Sequence, residues 1–151
     1  MKKIKDFLTR DLTSVTPETP LAQVAEILSW RGLSGVPVVN NKNEVIAFIS
    51  ERDIITALFP EQVKIENPDV IRIGNLSQII TKLTAVGEAV VKDYMNSNII
   101  CVSEETPISD VAGIMLRKGV KRIPVLRNKK LVGVVDRANL TKELVEKGTL
   151  E

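Results

Sequence analysis

The stretch KDFLTRDLTSVTPETPLAQVAEILSWRGLSGVPVVNN, residues 5–41, returns in altered form as KDYMNSNIICVSEETPISDVAGIMLRKGVKRIPVLRN, residues 92–128. At this offset of 87 residues, 13 of the 37 aligned pairs are identical, whereas ordinary composition gives roughly two by chance. After one extra residue in the first copy, the match continues with EVIAFISERDI over KLVGVVDRANL. The chain therefore contains two copies of one unit, and this repeat decides the fold.

Each copy predicts the same order of secondary structure. A short apolar stretch comes first, at residues 12–15 and 99–102, and a threonine–proline pair follows it. We expect the threonine to cap a helix whose apolar residues recur every three to four positions, and a glycine to end that helix. These positions are Thr19, Pro20 and Gly32 in the first copy and Thr106, Pro107 and Gly119 in the second. Two apolar strands around a polar turn and a final helix complete a β-α-β-β-α unit.

One such unit is too small to bury both faces of its sheet alone. The sequence therefore predicts an α+β fold (α/β in the broad sense), in which the two copies pack sheet to sheet with pseudo-twofold symmetry. The predicted divisions are repeat 1 at 1–59, a partly helical linker at 60–88 and repeat 2 at 89–151. Within the linker, Asn75 is a candidate cap for a helix that covers an apolar edge.

The composition excludes several classes of function. Of the 151 residues, 44% are hydrophobic and 26% are charged, with a net charge of +2. There is no histidine and only one cysteine, Cys101, which excludes histidine-dependent catalysis, histidine-ligated metals and an internal disulfide. No apolar run approaches the roughly 20 residues of a membrane span, and charges interrupt the N-terminal region where a signal peptide would be apolar. We expect a cytoplasmic protein that is not an enzyme, with no catalytic residue, metal or cofactor.

Taken together, the duplicated T-P helix, the G-x₄-P-V strand and the closing ISERDI resemble a CBS-domain pair, also called a Bateman module. The resemblance covers about residues 1–59 and 89–147. It implies a regulatory module that binds an adenine-containing ligand (AMP first, with ADP, ATP or S-adenosylmethionine as alternatives) in clefts between the two copies. It also implies a head-to-head homodimer, a disc of four units, and a protein partner regulated in trans.

The ligand motif of the family is G-h-h-S/T-x-x-D, and AFISERD at residues 47–53 resembles it. The resemblance implies that Ser50 meets phosphate and Asp53 the ribose hydroxyls. Arg52 lies within the motif and could add positive charge against the phosphate. The remaining predicted residues come from the second copy, with Ile100 and Val120 as apolar surface for adenine and Lys121 and Arg122 facing the phosphates.

The equivalent motif of the second copy is GVVDRAN at residues 133–139. Asp136 stands at the phosphate position, where a carboxylate repels phosphate, and Asn139 replaces the ribose carboxylate with a neutral acceptor. The predicted weaker second site consists of Asn139 with Thr13, Leu33, Ser34 and Gly35. We therefore expect one competent nucleotide site per chain, while the second takes at most an uncharged ligand.

Other interpretations of the same residues remain open. Ser50 is also a good helix cap, Asp53 a good first-turn carboxylate, and Lys121 and Arg122 are compatible with ordinary solvated charges. Trp30 is expected to pack at a helix end. The alternative function is a ligand-free scaffold for protein–protein interaction. Nucleic-acid binding through residues 117–122 is disfavoured, because few aromatic residues are present to stack on bases.

Overall fold

The computed structural model describes residues 2–59 and 84–147, and within these ranges it has the predicted α+β fold of two repeats. The first repeat contains α1 (Leu21–Arg31), β1 (Gly35–Val39), β2 (Val45–Ser50) and α2 (Glu51–Leu58). The second contains β3 (Val102–Ser103), α3 (Ile108–Lys118), β4 (Arg122–Arg127), β5 (Lys130–Asp136) and α4 (Arg137–Lys147). Residues 84–88 are also helical, whereas Asn75 and the helix predicted after it lie outside the described residues.

The first repeat forms a β1–β2 antiparallel sheet, and the second forms a β3–β4–β5 sheet in which β3 runs parallel to β4. The strand predicted at residues 12–15 is shorter than expected. Only Val15 pairs, in a parallel bridge with Val38. That bridge is the counterpart of the Val102–Val125 pair between β3 and β4. The two sheets therefore share one topology, with a less extensive first strand in the first repeat.

Helices α1 and α3 end at the glycines that the sequence predicts, but their N-caps differ from the prediction. Gly32 and Gly119 end α1 and α3 in the left-handed region, with φ of 62° and 64°, as glycine permits. The predicted threonine caps are wrong, because the prolines themselves occupy the N-cap position with extended backbone. The Thr19 hydroxyl instead accepts a hydrogen bond from the Thr16 amide at 3.0 Å, closing the turn before the helix.

The N-terminal segment of the chain packs on the second repeat, an exchange that the sequence does not predict. Ile4–Asp6 forms a 3₁₀ turn, and the Ile4 amide donates to the Thr106 carbonyl at 2.8 Å. The Ile108 amide donates back to the Lys2 carbonyl at 3.1 Å. Ile4 is fully buried in the core of the second repeat.

The segment before the second repeat makes the reciprocal contact with the first. Val91–Asp93 forms the equivalent 3₁₀ turn, and the Val91 amide donates to the Thr19 carbonyl at 2.9 Å. The Leu21 amide donates to the Ala89 carbonyl at 3.0 Å. Val91 is fully buried in the core of the first repeat. Each repeat therefore completes the core of the other, and the two form one folding unit.

The predicted pseudo-twofold symmetry and sheet-to-sheet packing are confirmed by the contacts between the sheets. Glu44 forms an antiparallel bridge with Lys130, its own counterpart in the second repeat. Both sheets contribute to a shared buried cluster of Val39, Val45, Leu131 and Val134. Cys101 packs against this cluster, half-buried. The two repeats are therefore joined through their sheets.

Two further findings concern the surface. Trp30 is 88% exposed, so its predicted packing role is wrong. The buried side of α1 carries Leu21, Val24 and Leu28, and a residue two positions after Leu28 points away from that side. Among the helices that the structure describes, none has the length and hydropathy needed to cross a bilayer.

Candidate functional site

The larger cleft has a volume of about 790 Å³ and is lined by both repeats. All seven residues predicted for the first site lie in its wall: Ser50, Arg52, Asp53, Ile100, Val120, Lys121 and Arg122. Its wall also contains Ser34, Phe48, Glu51, Ile55, Asn96, Asn98, Ile99, Lys118 and Gly119. Pockets of roughly 300–1,000 Å³ accommodate cofactor-sized ligands, so the volume suits a nucleotide.

Ser50 and Asp53 form a reciprocal cap at the N-terminus of α2. The Ser50 hydroxyl oxygen accepts a hydrogen bond from the Asp53 amide at 3.1 Å. The Asp53 Oδ2 accepts from the Ser50 amide at 3.0 Å and from the Ser50 hydroxyl at 2.9 Å. Ser50 is therefore the N-cap of α2, as one of the two interpretations from the sequence expects. The same hydrogen bonds fix a hydroxyl and a carboxylate in the cleft wall, beside the first amides of a helix.

The alternation of β2 explains why these side chains reach the cleft. Val45, Ala47 and Ile49 are buried, while the residues between them are half-exposed. Since alternate strand residues share a face, Phe48 and Ser50 point the same way, and both line the cleft. The sequence analysis missed Phe48, although this period-two pattern was available to find it.

The cleft is also lined by Asn96, Asn98, Ile99 and Ile100, of which sequence reasoning identified only Ile100. Asn96 is fixed by two backbone hydrogen bonds with Phe48, at 2.9 and 2.8 Å. The Asn98 amide donates to the Asn96 side chain at 2.9 Å. This bridge belongs to the exchange between repeats, and no local pattern in the sequence indicates it.

The larger cleft is lined by both basic and acidic residues. Arg52, Lys118 and Lys121 are exposed, and the structure gives them no ion pair within the part of the chain that it describes. Glu51 and Asp53 supply negative charge to the same wall. An anionic ligand would therefore meet three cations that are available for pairing, together with the N-terminus of α2.

Arg122 differs from both interpretations made from the sequence. Its side chain is only 4% exposed, so it is not a solvated charge. Its Nη2 lies 3.2 Å from Asp11 Oδ2, and its Nη1 lies 3.5 Å from Asp136 Oδ2. The backbone position lines the larger cleft, but the guanidinium is already paired with two carboxylates. A phosphate in that cleft would have to compete with them for this side chain.

The smaller cleft, of about 510 Å³, divides the residues predicted for the second site. Leu33 and Ser34 line it, together with Leu28, Ser29, Gly32, Glu51, Lys121, Asp136, Arg137 and Ala138. Thr13, Gly35 and Asn139 are not among its lining residues. Of the five residues that the resemblance assigned to the second site, the smaller cleft therefore contains two.

The structure shows where the three residues outside the smaller cleft lie. The Thr13 amide and hydroxyl both donate to Asp11, the amide at 2.9 Å. Gly35 is buried in β1, where an added Cβ would lie 2.4 Å from the Phe48 ring. Asn139 is exposed on the first turn of α4.

Asp11 is kept ionised by its neighbours. Burial alone raises the pKa of this carboxyl. The two hydrogen bonds from Thr13 and the charges of Arg31 and Arg122 outweigh burial, so the pKa of Asp11 lies below its ordinary value. Asp11 was not among the residues selected from the sequence, because its partner Arg122 is 111 positions away.

Residues 4–60 and 91–146 each match the CBS domain family, which together is more than half of the chain. The chain belongs to the CBS domain family. The resemblance noted in the sequence is thus confirmed. Among similar proteins, an uncharacterised 17.7 kDa protein in the bps2 3′ region of Acidianus ambivalens is 25% identical over 150 residues, covering 99% of this chain and 77% of that protein.

Solved CBS-pair structures share the fold of this chain. CBSX2 of Arabidopsis thaliana, solved in complex with AMP, has a TM-score of 0.75 at 24% identity, covering 99% of this chain and 100% of the other. The CBS pair of MJ0100, solved in complex with 5-methylthioadenosine and S-adenosyl-L-methionine, has a TM-score of 0.69 at 18% identity, covering 97% and 98%. At these identities the likeness concerns the CBS fold itself.

Proposed function

We propose that this CBS pair is a regulatory module that binds an adenine nucleotide in its larger cleft, AMP first, with ADP, ATP or S-adenosylmethionine as alternatives. One observation carries the proposal: folding brings Ser50 and Asp53 of one repeat against Ile100, Val120 and Lys121 of the other. The AMP complex of CBSX2 and the S-adenosyl-L-methionine complex of MJ0100 support an adenine-containing ligand.

The parts of the cleft match the parts of a nucleotide. Ile100 and Val120 are half-buried apolar side chains that can cover a purine. The Asp53 carboxylate has about four lone-pair sites, so it can accept the hydroxyls of a ribose cis-diol while still capping α2. Phosphate would lie at the N-terminus of α2, beside the exposed cations Arg52 and Lys121.

The test is calorimetric titration and thermal unfolding of the full chain with each of the four ligands. A ligand that binds only the folded state stabilises it by about 2.7 kcal/mol at 100 times its dissociation constant. Asp53→Ala should abolish binding, and Asn139→Ala, its counterpart on the exposed surface of α4, should leave binding unchanged. If none of the four ligands produces heat or shifts the melting temperature, adenine-ligand binding is wrong.

Binding is proposed to regulate a partner in the cytoplasm, without catalysis by this chain. The family resemblance implies assembly into a head-to-head homodimer, a disc of four repeats. Trp30 on α1 and Leu116 on α3 are 88% and 79% exposed and are candidate interface residues, because tryptophan is enriched at the energetic centres of protein interfaces. Sedimentation of the wild type and of Trp30→Glu and Leu116→Glu, with and without AMP, tests this; a wild type that stays monomeric throughout contradicts it.

The same exposed side chains favour the second candidate, a scaffold whose clefts bind no nucleotide. The two candidates differ in one measurement. A scaffold self-associates or binds its partner through Trp30 and Leu116 with no response to AMP, whereas a regulatory module changes its association when AMP is added. A ligand must have different affinities for the two assembly states to shift their populations.

A further inference from the structure

Arg122 stands at the centre of a chain of four alternating charges. Its guanidinium contacts Asp136 on one side and Asp11 on the other, at 3.5 and 3.2 Å. Asp11 Oδ2 also lies 3.2 Å from Arg31 Nη2. Two arginines and two aspartates give this network a net charge of zero. Arg122 Nε is buried without a hydrogen-bond partner among the described residues.

Asp136 also occupies the N-terminus of α4. Its Oδ1 accepts a hydrogen bond from the Ala138 amide at 2.9 Å, and its Oδ2 faces Arg122. The N-terminus of a helix attracts anions because its first amides are unpaired and its dipole is positive. In this repeat the carboxylate of Asp136, which lines the smaller cleft, already meets both requirements.

We propose that Asp136, together with Asp11, is an internal anion that closes the smaller cleft to a phosphorylated ligand. Asp136 accepts a hydrogen bond from the Ala138 amide and, with Asp11, pairs the two terminal nitrogens of the buried guanidinium. The charged residues that line the smaller cleft, Glu51, Lys121, Asp136 and Arg137, sum to zero, so a phosphate arriving at α4 meets no excess of positive charge and a carboxylate in its place. Asp136 therefore excludes phosphate from this cleft, and the neutral Asn139, which stands where the other repeat has the Asp53 carboxylate, is the second departure of this repeat.

The pseudo-twofold symmetry supplies a comparison within the same molecule. The counterparts of Asp136, Arg122 and Asp11 are Ser50, Gly35 and Asn98. None of these three is charged, so the larger cleft has no equivalent network. Its helix N-terminus is capped by a neutral hydroxyl, and the carboxylate of Asp53 lies three residues later along the helix. In the first repeat the neutral residue Ser50 comes first and the carboxylate of Asp53 three positions later. In the second repeat this order is reversed, with the carboxylate of Asp136 first and the neutral Asn139 three positions later.

The experiment replaces Asp136 with the residue found at its counterpart. Asp136→Ser removes the carboxylate and retains a good helix cap, and Asp136→Asn removes only the charge at nearly constant shape. Each is combined with Asn139→Asp, which supplies the carboxylate found at Asp53 in the other repeat, and is titrated with AMP by calorimetry, with and without Asp53→Ala, after thermal unfolding shows a cooperative fold. Asp110→Asn, which removes an exposed acidic residue from the first turn of α3, is the matched control.

The role of Asp136 rests on the proposed function, because AMP is the probe. Even so, the titrations distinguish a failure of AMP binding in the larger cleft from a failure of the role of Asp136 in the smaller one. We expect one AMP per wild-type, Asp110→Asn and Asn139→Asp chain, two per Asp136→Ser/Asn139→Asp chain, and one when Asp53→Ala is added to that pair. Two AMP per wild-type or Asn139→Asp chain, or no added site when either Asp136 substitution is combined with Asn139→Asp, overturns the role of Asp136. A wild type that binds no AMP while Asp136→Ser/Asn139→Asp binds one supports that role and contradicts the proposed function.

Discussion

Ser50 and Asp53 hydrogen-bond to each other through three contacts of 2.9 to 3.1 Å at the start of α2. The two residues that the resemblance assigns to ligand binding are therefore also the residues that hold the helix end. Stability and ligand binding depend on the same pair, and a substitution that affects one can affect the other. Variants that separate the two roles are needed.

Ser50→Ala should lower the free energy of unfolding by about 1 kcal/mol in the absence of nucleotide, because the Asp53 amide loses its acceptor. Ser50→Asp keeps a good capping acceptor but replaces the hydroxyl that donates to Asp53 Oδ2 at 2.9 Å with a second carboxylate that repels Asp53. It should therefore recover only part of that stability, and it should lose AMP binding because it places a carboxylate where phosphate would lie. Urea unfolding and calorimetric titration of both variants check this. Undiminished AMP binding by Ser50→Asp would show that phosphate does not lie at this position.

The repeat and the order of helices and strands could be predicted from local periodicity and the internal match, although the strand at 12–15 is shorter than expected and the helix caps differ. The seven residues that meet in the larger cleft were implied by the resemblance to the family motif. The sequence was insufficient for the exchange of the segments at Ile4 and Val91, because a single 3₁₀ turn has no periodic pattern. It also could not predict the pairing of Arg122 with Asp11, since contacts between residues 111 positions apart depend on how the repeats pack.

The exchanged segment should depend on its apolar side chain more than on its charges. Ile4 is fully buried against the second repeat, so Ile4→Ala should lower the free energy of unfolding by about 2–5 kcal/mol. Lys5 forms an exposed ion pair with Glu105 at 3.0 Å, and Lys5→Ala should have little effect. Denaturant unfolding of both variants measures the difference. A larger loss for Lys5→Ala than for Ile4→Ala would contradict the apolar anchor.

Cys101 should react slowly with thiol reagents in the folded protein. Burial raises its pKa to about 11, and the thiolate is the reactive form. At pH 8 the reaction should be much slower than in the urea-unfolded chain, and its rate should keep rising with pH towards 11. Ellman's reagent, followed by absorbance under native and denaturing conditions, tests this. A rate that levels off near pH 8.5 in the folded protein would indicate an unperturbed thiol.

Asp11 should make the stability of the protein dependent on acid. Its pKa is lowered because the hydrogen bonds from Thr13 and the charges of Arg31 and Arg122 outweigh its burial. A carboxyl whose folded pKa lies below its unfolded value of about 3.9 contributes stability that is fully present above pH 4 and is lost as the pH falls through the folded pKa. Asp11→Asn should therefore be less stable than the wild type at pH 7, and the difference should begin to shrink at about pH 4 and continue to shrink as the pH falls through the folded pKa of Asp11. Urea unfolding between pH 7 and pH 2.5 measures the difference, with Asp110→Asn as the control. A difference that is constant across this range would mean that the ionised Asp11 contributes no stability through its partners.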